Sequence, residues 1–263
     1  MATIAQPESS PSTRPDLLPA ALIIASWVLM ALLMTGDHTH HLSHDSILDG
    51  RTVPALSTLL LFLAAWQVMT GAMMLPSSLP LIQMFIAVSR RQEHRRLVMT
   101  VFLGGYFAVW TGFAFVALAF DGVVHAVAGQ WAWLAERPHL IAGSVLLTAG
   151  AFQFSKLKER CLDACRSPMG FLFQHYRRGT KGAWNLGIRH GLFCLGCCWA
   201  LMLVMFAVGI GSLAGMAGLT GVMIIEKSFS WGRRIVPVVG IALIVWGIAL
   251  MIAPDVLPSA LQV

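Results

Sequence analysis

Three of the five cysteines stand within five residues of one another, in the run RHGLFCLGCCWALMLVMF from Arg189 to Phe206. Cys194, Cys197 and Cys198 are followed by Met202 and Met205 in a stretch apolar enough to lie inside a bilayer. Wound as a helix, Cys194, Cys198, Met202 and Met205 share an arc of about 80°, with Cys197 to one side. Thiolate and thioether are soft donors, a set that favours Cu(I) over harder ions. Zinc prefers a four-ligand Cys/His cage, which Cys-x-x-Cys-Cys on one helix does not supply by itself. An iron-sulfur cluster needs about four thiolates in a set, and two of the five cysteines lie elsewhere.

A second sulfur-rich face lies upstream, in WQVMTGAMMLP from Trp66 to Pro76. Trp66, Met69 and Met73 follow at i, i+3 and i+7, with Met74 beside them. Gly71 permits close helix approach, and Pro76 removes a backbone donor, which kinks a span or frees a carbonyl. The two faces are expected to meet at the depth of Cys194 to Cys198. The plain alternative is packing, since cysteine is a small hydrophobe and methionine an ordinary core filler.

Two further groups carry ligand chemistry. Cys161 and Cys165, in KERCLDACRSP, sit four residues apart beside Lys158, Arg160 and Arg166, a setting that favours thiolate. In a reducing compartment they suit metal capture or delivery better than a disulfide; two unrelated cysteines on a basic amphipathic helix is the competing reading. The segment GDHTHHLSHD places His38, His40, His41 and His44 with Asp37 and Asp45 in ten residues, a borderline donor set for Cu(II), zinc or nickel. A solvated polar loop is the alternative there. His175 and His190 are weaker candidates, and Glu226 with Lys227 stands at a membrane boundary, ranked below the cysteines.

The elements that position these residues follow from composition. Of 263 residues 57% are hydrophobic and 11% are charged, which marks an all-α membrane protein. Apolar windows predict a polytopic helical bundle of about seven transmembrane helices: 17–35, 55–75, 97–120, 139–155, 190–209, 213–225 and 235–253. The sixth is short and glycine-rich. A cytoplasmic amphipathic helix is expected between spans four and five, and Phe171, Leu172, His175 and Tyr176 suggest an interfacial helix leading into span five. Residues 1–16 are expected to be a disordered cytoplasmic N-terminus, ahead of a single integral membrane domain over 17–263. With only Arg14 before it and no small-residue cleavage site after it, the first span reads as an anchor.

Sixteen of the eighteen Lys and Arg fall before span one or between spans two and three, four and five, and six and seven; Arg51 and Arg137 lie on the other side. The positive-inside rule then puts the N-terminus in the cytoplasm and the C-terminus outside, as expected for a bacterial inner-membrane protein. The net charge of +6 serves topology and anionic headgroups, and no nucleic-acid site is expected. No acid/base pair, nucleophile triad or phosphate loop stands out, so the expectation is a protein that is not an enzyme.

Four stretches in this order, WQVMTGAMMLPSSLP, KERCLDACRSP, RHGLFCLGCCWALMLVMFAVG and EKSFSWGRR, resemble the bacterial DUF2182 family of predicted metal-binding integral membrane proteins. The resemblance covers most of the chain from span two onward. It implies copper handling, and carries over Cys194, Cys197, Cys198, Met69, Met73 and Met74 as candidate ligands. The expected function is therefore binding of a soft transition metal, Cu(I), by a membrane chaperone that delivers it to a soluble or membrane metalloprotein partner. A metal transporter and a non-metal assembly subunit are the alternatives.

Overall fold

The computed structural model describes residues 17–35, 55–208 and 213–253. The N-terminal segment 1–16 and the histidine-rich loop with His38, His40, His41 and His44 lie outside the described residues. Within them the chain is helical with no strands: α1 (Leu18–Thr35), α2 (Ala55–Ser89), α3 (Arg95–Gln130), α4 (Ala132–Ala135), α5 (Pro138–Phe152), α6 (Lys156–Arg166), α7 (Pro168–His175), α8 (Gly179–Val208), α9 (Leu213–Ser228) and α10 (Ile235–Ile252), with a 3-10 turn at Gly232–Arg234.

Four of the described helices are long and apolar enough to cross a bilayer, over Leu59–Ser89, Arg95–Val124, Gly179–Met205 and Gly232–Ile252. A fifth crossing is available if Pro138–Phe152 and Lys156–Arg166, bent by 64° at their junction, act as one span. A shorter apolar helix lies over Leu18–Leu33 in α1, and α9 has 16 residues. Leu60, Phe115, Val116, Phe120, Val238, Ile241 and Val245 are exposed on the long helices, which suits side chains facing lipid.

Several helices outrun the apolar windows that predict them. α2 continues past Leu75 over both Pro76 and Pro80 to Ser89, and α8 begins at Gly179, so that Arg189 and His190 are helical. Hydropathy marks the part of a helix that suits hydrocarbon. The hydrogen-bonded backbone continues beyond it wherever no better partner is offered.

Packing is built on close backbone approach. α3 and α8 form the most extensive helix pair, followed by α5 with α10 and α1 with α2. A Cβ at Gly105 would stand 2.7 Å from the Trp184 carbonyl oxygen, and one at Gly187 would run into the carbonyl of Phe102. Only glycine lets these two spans come this close, the small-residue device of membrane helix pairs. Gly71 plays the expected part toward α1, where a Cβ would meet Ser26.

α6 is amphipathic, as expected. Lys158, Cys161, Leu162 and Cys165, spaced at i, i+3, i+4 and i+7, are its buried residues. Ser155 caps it, accepting a hydrogen bond from the Lys158 amide at 3.1 Å. The buried face lies on α8, which brings the second cysteine pair to the first.

Candidate metal centre

Cys194 and Cys198 lie one turn apart on α8 with their sulfurs 4.0 Å from each other, and both are buried. Across from them, Met74 of α2 places its Sδ 3.5 Å from Cys198 Sγ. The expected contact between the two sulfur faces is thus made, through Met74. Met69, Met73, Met202 and Met205 are buried in the same core.

The segment of α2 between its two prolines completes this wall. Ser77 donates a hydrogen bond to the Met74 carbonyl at 2.9 Å, and Ser78 Oγ lies 3.9 Å from Cys194 Sγ. Tyr106 of α3 sets its hydroxyl 3.2 Å from Cys194 Sγ and 3.3 Å from Ser78 Oγ. Its ring stacks on that of His190 at 5.4 Å between centroids. His190 is buried, and among the described residues its Nε2 has no hydrogen-bond partner. This weaker candidate from sequence is a core residue one turn before Cys194.

The residue that sequence reasoning ranked too low is Lys227. Its Nζ donates to Ser77 Oγ at 2.9 Å and stands 3.2 Å from Cys194 Sγ and 3.9 Å from Cys198 Sγ. Neighbouring Glu226 points the other way and pairs with Lys158 at 2.7 Å, both side chains almost wholly buried. Arg166 adds hydrogen bonds to the carbonyls of Glu226 and, at 3.1 Å, of Ser230. The signal for Lys227 was present, an ionisable pair at the end of an apolar run. Its direction was not. Tyr106 had no sequence signal at all.

The second cysteine pair joins the first. Cys165 Sγ is 3.9 Å from Cys197 Sγ, and Cys161 Sγ is 2.5 Å from where a Cβ on Gly196 would stand. The glycine of Cys-x-Gly-Cys-Cys is the slot into which α6 sets its thiol. Cys197 and Cys198 both donate to the Cys194 carbonyl, at 3.1 and 2.7 Å, with Cys197 toward α6 and Cys198 toward α2. All five cysteines are free thiols.

Among the described residues no group of three or more His, Cys, Asp and Glu side chains is arranged to hold a metal. The third soft donor beside Cys194 and Cys198 is a thioether. With metal–sulfur bonds of about 2.3 Å, sulfurs at the corners of a trigonal site stand about 4.0 Å apart. The Cys194–Cys198 separation of 4.0 Å matches that spacing, and Met74 is within side-chain adjustment of it. The donor set fits a soft monovalent ion better than zinc.

The model of the PpoB2 family, described as a copper chaperone, matches residues 63–250. The matched span contains Met74, Lys227 and all five cysteines. No curated protein and no solved structure matches the chain. The match covers well over half of the sequence, so the chain belongs to the PpoB2 family of copper chaperones.

Proposed function

We propose that the protein is a membrane-embedded chaperone that carries Cu(I) on Cys194, Cys198 and Met74 and hands it to a metalloprotein partner. The observation that carries this reading is the convergence of two thiols and a thioether from two spans at one buried point. Copper is cargo here, and no chemical transformation is asked of the protein.

Charge supports the same ion. Metal binding deprotonates its thiol ligands. Two thiolates, the Lys227 ammonium and Cu(I) sum to zero, whereas a divalent ion leaves an uncompensated positive charge in a buried place. Lys227 is thus the counter-charge of the loaded site.

The topology belongs to the proposal as well. Counting α1 and α9 with the longer helices and α5 as spans gives seven crossings, with α6 on the cytoplasmic face of a bacterial inner membrane and the C-terminus outside. A transport reading draws on Met202 and Met205, buried further along α8 from the same centre. Copper flux into proteoliposomes separates carriage from transport.

The test is the copper content of protein loaded and washed without oxygen. The variant with Cys194, Cys197 and Cys198 all replaced by serine is expected to fall to background. Unchanged copper in that variant overturns the reading.

A further inference from the structure

We propose that Cys165 and Cys197 form a second, shallower Cu(I) station, clamped by α6, from which the ion passes to Cys194, Cys198 and Met74. This rests on the copper-carrying reading above and adds a route to it.

Geometry supports a two-sulfur site. The two sulfurs approach to 3.9 Å from different helices, α6 and α8. A linear two-thiolate ion with bonds of about 2.3 Å spreads its sulfurs to about 4.6 Å, an opening that side-chain rotation supplies from here, and the present spacing is well beyond a disulfide bond of about 2.0 Å. Cu(I) is satisfied by two thiolates, so the pair needs no third donor.

Burial sets Cys165 outermost of the four station cysteines. Cys161 and Cys165 retain 8% and 9% of their exposure, against 1% for Cys197 and Cys198 and none for Cys194. Sulfur thus runs inward from the rim of α6 to the floor between α2 and α8. Cys197 and Cys198 hang from the same Cys194 carbonyl, so the two stations are neighbours across one turn of α8.

α6 is held rigidly enough to set the outer station. The buried Lys158–Glu226 pair and the Arg166 bonds to the carbonyls of Glu226 and Ser230 tie it to α9 and the turn beyond. These contacts fix the depth at which Cys165 meets Cys197. Gly196 leaves room for Cys161 beside them.

The transfer is a ligand exchange without redox change. Two copper–sulfur bonds to Cys165 and Cys197 break as two to Cys194 and Cys198 form. The two protons leaving the inner thiols end on the outer pair, and Met74 adds its thioether lone pair to an ion that remains Cu(I).

Anaerobic Cu(I) titration of the full-length protein in detergent, against a chromophoric chelator, tests the order. Cys165→Ser and the pair Cys194→Ser/Cys198→Ser are each expected to keep about half of the wild-type capacity, because each removes thiol ligands of one station and leaves those of the other. Cys165→Ser also loads its inner site several-fold more slowly. In wild-type protein, time-resolved alkylation footprinting after sub-stoichiometric Cu(I) is expected to show protection of Cys165 and Cys197 before Cys194 and Cys198, a readout free of any folding defect. Full capacity and an unchanged loading rate in Cys165→Ser, or protection of the inner pair first, overturns the outer station while leaving the inner site standing. Copper retained by the triple serine variant of Cys194, Cys197 and Cys198 overturns both.

Discussion

Replacing Lys227 by glutamine removes a positive charge from the sulfur site and keeps a polar head for Ser77. The ammonium stands 3.2 and 3.9 Å from the sulfurs of Cys194 and Cys198, so an ion held by those sulfurs lies about 4 Å from it. Two unit charges at that separation repel by about 4 kcal/mol at an effective dielectric constant of about 20. A divalent ion bears this repulsion twice and a monovalent ion once. The difference, about 4 kcal/mol, corresponds to roughly three decades in relative affinity. Thiol deprotonation is common to both ions and cancels in the ratio. The assay is anaerobic competition of Cu(I) and Zn(II) against chelators of known affinity, on wild type and Lys227→Gln. The Zn(II)-to-Cu(I) affinity ratio is expected to rise by about a thousandfold. A rise of less than about tenfold in a folded variant refutes the argument that Lys227 selects for ionic charge.

Other outcomes follow from the packing around the site. In Gly196→Ala the new methyl group meets Cys161 Sγ at 2.5 Å, and overpacking of this kind costs about 1–3 kcal/mol. A lowered unfolding temperature in detergent and faster alkylation of Cys161 are expected; wild-type values for both would show that α6 gives way freely. Lys158→Met strands Glu226 in a buried place and is expected to cost about 3–5 kcal/mol. Adding Glu226→Leu should recover most of that loss in denaturant unfolding, because the charge left without a partner is what destabilises. A double variant as weak as the single one contradicts this account of how α6 is held.

The helical faces were legible in the sequence because they depend on spacing alone. Cys194 and Cys198, four residues apart, had to share a side of any helix that contained them, and Cys161 and Cys165, at the same spacing, likewise share the buried face of α6. The ends of the helices were less legible. Pro76 reads as a kink or a freed carbonyl just past the second window, yet α2 runs on through it and Pro80, and Ser77 supplies a side-chain hydrogen bond to the Met74 carbonyl. His190 reads as a weaker candidate ligand at the start of the fifth apolar window. The close α3–α8 crossing at Gly187 instead brings Tyr106 and Phe102 over its ring.

The sequence by itself determined that the chain is helical, with several helices apolar enough to cross a membrane and sulfur concentrated on defined helix faces, since hydropathy and the helical period are properties of the chain. Tertiary structure alone decided which sulfurs meet. Met74 reaches Cys198, Cys165 reaches Cys197, and Lys227 enters between α2 and α8, because each depends on how far helices slide and rotate against one another. That slide is set by the glycine contacts between α3 and α8 and by the Lys158–Glu226 tie from α6 to α9. Residue spacing along one helix carries no information about the depth of its neighbour. Packing supplies it.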